Sequence, residues 1–234
     1  MDNLNNILFI NTGGGIGDAL SSLPTLNYIN DNLKPKNLYY FSTDLGNFWF
    51  DTKLQEYKPY NLITVKSFPE HFGFRDHHMK VSREVIKNFE FDEFDLIIDN
   101  QTRFKNTLIY RKIPHKYYVS PCLNYLMSKP ITFMRKREIF ANRIIDYFNK
   151  IKKINIKPNY KISIPNNFIN EAKKLIPNEN YIGFSITAGH PKRIKEINYD
   201  EIVKIANYYS DKLIPTFFIE NKFQDLISKI KQNV

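Results

Sequence analysis

The chain has 234 residues, 42% hydrophobic and 25% charged, an ordinary globular balance and enough length for a core in one large domain or two small ones. No run of 18 or more apolar residues and no charged-apolar-small leader occurs, so neither a membrane span nor a secretory signal is expected, and the single Cys122 excludes an internal disulfide and points to the cytoplasm. The net charge of +10 is concentrated, with 14 Lys and Arg against Glu138 and Asp146 between residues 101 and 160. Such a window suits phosphates of a nucleotide-linked substrate or an anionic membrane surface; the alternative is a solvated basic face. No recognition motif accompanies it, so nucleic acid is not an expected partner.

In chain order, Ile7-Leu8-Phe9-Ile10 reads as a buried parallel strand because its apolar positions run on instead of alternating. The turn Asn11–Gly17 follows, then Leu20, Leu23, Leu26 and Ile29 at helical spacing. Further strands are expected at residues 38–42, 62–65, 94–99 and 116–119, with Trp49 and Phe50 packed inward between the second and third. Residues 69–78 read as a loop, Val81 opens a helix, 107–110 is helical, 121–136 is a mobile loop, and 138–153 is an amphipathic helix. After a linker at 158–165, a helix at 167–175 leads to a strand at 181–186 and a turn at 187–193. Asn198 with Glu201 forms a capping box for a helix through Tyr209, and a strand at 213–219 and a helix at 223–230 complete the chain. The alternation predicts α/β architecture with parallel sheets in two domains, residues 1–157 and 158–234, the second holding only about two strands.

Three chemistries share a glycine turn after a first strand. A P-loop fails, because Asp18 stands where its second glycine belongs and no lysine follows. A dinucleotide fingerprint fits Gly13 and Gly15 but meets Asp18 at its third glycine; Asp44 after the second strand keeps that reading, and with it an oxidoreductase, open. In the third, the run Ile7–Ile10, Thr12–Gly15, Gly17-Asp18, Ala19-Leu20 and Leu23-Pro24 resembles the N-terminal motif of glycosyltransferase family 9, the ADP-heptose:lipopolysaccharide heptosyltransferases and their relatives, whose pattern places Leu-Pro before the first helix. Residues 94–101 resemble the family's second diagnostic strand, and 187–192 resemble the phosphate-contacting turn of its C-terminal domain.

The resemblance implies a GT-B fold of two Rossmann-like domains, the second incomplete. It lacks the family's Asp-[Ser/Thr]-Gly and later His. It further implies inverting transfer of a sugar, heptose from ADP-heptose, from a nucleotide-sugar donor to a lipid-linked lipopolysaccharide-type glycan at the inner membrane face, with no metal and no cofactor. Asp18 is implied as the general base, the alternative being a helix N-cap. Lys192, with Thr187 and Arg193, is implied to neutralise the donor diphosphate, against an ordinary surface Lys-Arg pair. Gly13, Gly14 and Gly15 would let the acceptor approach the backbone, or meet a need for positive φ. Asn100, Gln101 and Arg103, at a strand's carboxyl end, are candidate acceptor contacts or plain loop polarity. The short second domain leaves two further readings: a partner chain that completes the donor side, or a glycosyltransferase-like binding module without catalysis. His77-His78 beside Asp76 has no further ligand spaced for a metal.

Overall fold

The computed structural model describes residues 4–65, 85–135, 139, 141–161, 164–177, 180–187 and 198–234, which fall into two compact units, 1–163 and 164–234. In the first unit, β1 (Asn6–Ile10), β2 (Asn37–Phe41), β3 (Leu62–Val65), β4 (Phe94–Asp99) and β5 (His115–Val119) form one parallel sheet in the order β3-β2-β1-β4-β5. Continuous apolar runs make the central strands because helices cover both faces. Ile7, Phe9, Leu96 and Ile98 pack with Leu23 and Leu26 of α1 (Ile16–Tyr28) and with Ile144 and Phe148 of α4 (Asn142–Lys152). Leu8, Ile10 and Ile97 pack with Tyr118 and with Tyr110 of α3 (Phe104–Tyr110). Each such buried side chain contributes about 1.5–3 kcal/mol.

Two expectations need correction. Leu23-Pro24 lies inside α1, not ahead of it, with Pro24 buried. The cost of the lost N–H is offset by the apolar stripe of α1 packed on the sheet, and the adjacent Thr25 Oγ1 ties the helix to the start of α4 by donating to the Ala141 carbonyl at 3.2 Å. The stretch after β5 is a tied segment, not a free loop. Tyr118 and Lys129 exchange backbone hydrogen bonds of 3.0 and 2.7 Å, Tyr125 is buried with its hydroxyl on the Arg143 carbonyl at 2.7 Å, and Cys122 is buried packing. Periodicity could not find it, because its buried residues follow neither a strand nor a helix repeat. The loop at 69–78 and Asp76-His77-His78 lie outside the described residues, as does the start of the helix expected from Val81; Val85–Asn88 is a 3-10 turn.

The order β3-β2-β1-β4-β5 has a consequence for function. From β1 the chain winds outward to β2 and β3, then returns to β4 on the other side. The carboxyl ends of β1 and β4 therefore flank the point where winding reverses, the place where open α/β sheets bind ligands. The Asn100 N–H donates to the Ile10 carbonyl at 3.0 Å, so the two strand ends are joined there.

In the second unit, β6 (Tyr181–Ser185) and β7 (Ile214–Phe218) form a two-stranded parallel sheet, with α5 (Asn166–Leu175), α6 (Tyr199–Tyr209) and α7 (Gln224–Asn233). Asn198 caps α6 by accepting the Glu201 N–H at 3.4 Å. Its buried apolar residues, among those described, are Ile186, Ala206 and Ile230.

Candidate functional site

Gly15 is the N-cap of α1, in extended conformation (φ −83°, ψ 154°). Asp18 is the third residue of the helix rather than its N-cap. Its backbone N–H donates to the Gly15 carbonyl at 3.0 Å, and its Oδ2 accepts the Gly15 N–H at 3.1 Å. The carboxylate thus satisfies an orphan donor of the first turn and lies in the positive field of a helix start. It is exposed, and Oδ1 has no hydrogen-bond partner among the described residues. Position and exposure leave that oxygen able to take a proton from a bound hydroxyl.

The glycines around it serve close approach. No described glycine has positive φ, so the conformational alternative fails. A Cβ on Gly13 would stand 2.3 Å from Asp18 Cγ and 2.5 Å from its Oδ2, so the carboxylate lies directly across Gly13. Gly13 and Gly14 are in turn pinned from α2 (Asp44–Asp51) and its approach: Ser42 Oγ donates to the Gly13 carbonyl at 3.3 Å, and Trp49 Nε1 to the Gly14 carbonyl at 3.0 Å. Gly46 comes so near that a Cβ there would stand 2.9 Å from the Gly13 carbonyl oxygen and closer still to Ser42 Oγ. Asn11 Nδ2 donates to the Asp18 carbonyl at 3.0 Å and to Tyr40 Oη at 3.2 Å. The Gly13→Ala variant is therefore expected to keep its thermal midpoint within a few degrees while the displaced carboxylate costs about 100-fold in any Asp18-dependent turnover. Calorimetric melting beside an activity assay checks this.

Across the switch point, Asp99 ends β4 as a fully buried carboxylate. It accepts four hydrogen bonds: Thr107 Oγ1 at 2.7 Å, the Gln101 N–H at 2.9 Å, Tyr118 Oη at 2.9 Å and Ser120 Oγ at 3.2 Å. Burial pushes its pKa up to about 6 despite those donors. Sequence reasoning missed this residue as a site organiser. Its partners lie up to 21 residues away, and an aspartate closing a strand carries no local signal. At the other end of β4, Asp95 accepts the Asn5 and Asn6 N–H groups and pairs with Lys116 at 2.7 Å.

The three candidate acceptor contacts differ. Asn100 is fully buried, and neither its amide nitrogen nor its oxygen has a partner among the described residues. Gln101 is half-buried, its N–H held by Asp99 and its carbonyl by Ser120 Oγ at 3.3 Å. Arg103, the N-cap position of α3, is exposed. In the second unit, Thr187 follows β6, and its Oγ1 accepts the Glu220 N–H at 3.3 Å, joining the carboxyl ends of β6 and β7. Lys192 and Arg193 lie outside the described residues. Among the described residues no cluster of three His, Cys, Asp or Glu is placed to hold a metal ion, and no helix is long and apolar enough to cross a membrane.

No family model matches the sequence, and no curated protein matches it either. Solved structures do. The glycosyltransferase of family 9 from Veillonella parvula is 14% identical, with a TM-score of 0.58 over 100% of this chain and 68% of that one. The E. coli heptosyltransferase WaaC with ADP is 14% identical, at 0.56 over 97% and 71%. A UDP-GlcNAc 2-epimerase from Neisseria meningitidis bound to UDP-GlcNAc is 12% identical, at 0.54 over 97% and 68%. The chain has a GT-B-type α/β fold, shared with heptosyltransferases and a family 9 glycosyltransferase. At these identities the likeness is one of fold, and the epimerase shows that the fold hosts more than one reaction.

Proposed function

We propose that this chain is the acceptor side and part of the donor side of a glycosyltransferase, which moves a sugar from a nucleotide-sugar to a glycan hydroxyl. One observation carries the reading: an exposed carboxylate at the start of α1, lying across Gly13 at the reversal point of a five-stranded parallel sheet. In the proposed reaction the acceptor hydroxyl gives its proton to Asp18 as its oxygen bonds to the anomeric carbon. The bond from that carbon to the donor's phosphate oxygen breaks, and the nucleoside diphosphate leaves with the electron pair. Attack from the face opposite the leaving group inverts the anomeric centre. Gln101 and Arg103 contact the acceptor, and Asn100 supports them from within. Lys192, Arg193 and Thr187 offset the charge on the departing diphosphate, which asks for no metal ion and no cofactor.

The likeness to heptosyltransferases that bind ADP or an ADP-heptose analogue supports an adenine nucleotide and heptose as donor. The basic window at residues 101–160 supports a phosphorylated, lipid-linked acceptor of lipopolysaccharide type, met at the cytoplasmic membrane face. The small apolar interior of the second unit favours one alternative, a binding module that holds the glycan without transferring to it. Titration calorimetry with ADP, ADP-heptose and a phosphorylated core glycan separates the two. Transfer predicts heat with both ADP-heptose and glycan, whereas glycan heat alone, with no nucleotide binding in any assembly of the chain, returns the protein to the binding module.

A further inference from the structure

The stretch after β5 holds a backbone conformation that its residues do not favour. Leu123, Asn124 and Tyr125 have φ of 48°, 55° and 69°, three successive left-handed residues without a glycine among them. The turn is held in that form from both sides. Tyr125 is buried with its hydroxyl on the Arg143 carbonyl, and the Asn124 carbonyl accepts the Met134 N–H at 3.4 Å. Tyr125 thereby lies in the core, while Leu123 (51% exposed) and Leu126 (46%) stand in solvent. Strain of this kind persists where surrounding structure enforces it, and it gathers at places that function.

The two leucines are not alone. Ile131 is 71% exposed and Phe133 66%, and they alternate with half-buried Thr132 and Met134, so both stand on one side of their stretch. The bond between Met134 and Asn124 sets that stretch beside the turn. On its other flank the turn Cys122–Tyr125 packs against α3, whose first residue, Phe104, is 46% exposed. Large apolar side chains gathered on one surface mark a place of contact. The charge around them has a single sign. Residues 103–135 contain seven Lys and Arg and no Asp or Glu. Lys129 and Arg135 are exposed beside the apolar side chains, and Lys150 Nζ donates to the Phe133 carbonyl at 2.8 Å.

We infer that the surface formed by Phe104, Leu123, Leu126, Ile131 and Phe133 docks on an anionic lipid bilayer. The apolar side chains enter the interface, and Lys129, Arg135 and Lys150 meet the headgroup phosphates. A protein partner would need a fitted pocket for each of these separate protrusions, whereas a fluid interface takes them without shape complementarity. The surface also begins beside the site. Ser120 Oγ, at the end of β5, donates to the Gln101 carbonyl at 3.3 Å, which joins this stretch to the turn of the proposed acceptor contacts. A lipid-linked glycan then reaches that turn by moving in the plane of the membrane. That consequence rests on the acceptor reading above; the docking itself does not.

Vesicle flotation tests this with the full chain. It should bind vesicles of phosphatidylcholine and phosphatidylglycerol in roughly equal parts at least tenfold more tightly than vesicles of phosphatidylcholine alone. A nitrobenzoxadiazole probe on the Ile131→Cys variant should then shift to the blue and be quenched by spin-labelled lipid. The same probe on Tyr60→Cys, exposed beside β3 at the opposite edge of the sheet, should stay in water; the native Cys122 is buried and takes no probe. Leu123→Asn combined with Phe133→Ser should weaken binding to the anionic vesicles at least tenfold, since asparagine accepts a left-handed φ more readily than leucine and the turn is kept. If that double variant does not fold, the probe at position 131 decides. No binding to anionic vesicles, a probe at 131 that stays in water while the chain binds, or a folded double variant that binds as the unaltered chain does overturns the inference. A chain that binds and inserts but gives no heat with phosphorylated core glycan leaves the docking surface standing and removes the acceptor reading; glycan heat without vesicle binding does the reverse.

Discussion

Asp18→Asn is expected to cut sugar transfer by about 10²–10⁴-fold while the fold persists. Asparagine keeps an oxygen that can accept the Gly15 N–H, the bond now made at 3.1 Å by Asp18 Oδ2, so the start of α1 is preserved. What it lacks is a basic oxygen for the acceptor's proton. Asp18→Ala loses both, and the missing first-turn acceptor should cost about 1 kcal/mol of stability. The pair separates chemistry from capping. If the carboxylate only ended a helix, Asn would retain activity and Ala would lose it through stability. If it is the base, both are inactive and only Ala melts earlier. Turnover of the assembly that transfers sugar, beside thermal melts of both variants, checks this; full turnover by Asp18→Asn would falsify the assignment.

The largest expected loss of stability is at Asp99. Replacing it with alanine removes the shared acceptor of the Thr107, Tyr118 and Ser120 hydroxyls and of the Gln101 N–H, leaving Ser120 Oγ the Gln101 carbonyl at 3.3 Å and Tyr118 Oη the Thr107 carbonyl at 3.4 Å as weaker partners. An unpaired buried donor costs about 1–3 kcal/mol, and partial relaxation should hold the total to about 3–5 kcal/mol. Against a typical stability of about 5–15 kcal/mol this is severe. The same carboxyl gives a pH signature. Its pKa is about 6 in the folded chain, whereas an unfolded aspartate titrates near 3.9. Between those values the native state holds a proton that the unfolded chain has released, so this group's contribution is fully present below about pH 4 and is lost as pH rises through about 6. Asp99→Asn cannot titrate and should lack that part of the slope. Urea unfolding of both proteins at pH 4, 5, 6 and 7 measures the difference, and parallel curves would show that Asp99 does not titrate in this range.

The sheet was legible because its chemistry is local. β1 and β4 are short apolar runs closed by polar residues, which only strands covered on both faces require. The glycine turn was legible as a place of close approach, and Asp18 as its one charged residue. What presses on the turn was not. Trp49 is 35 residues from Gly14, and Gly46 meets Gly13 only because β2 lies beside β1. Asp99 was hidden for the same reason, since its hydroxyl partners come from α3, β5 and the residue after β5. The tied stretch after β5 has buried residues without a period, and Pro24 inside α1 defies the rule that proline marks a helix end. Burial against distant elements overrode local preference in each case.

Trp49 is the chain's sole tryptophan, and its indole hydrogen bonds the carbonyl of Gly14. The protein thus carries one native fluorophore wired to the backbone that cradles Asp18. Its emission wavelength and lifetime read the state of that single turn, without a dye and without interference from a second indole.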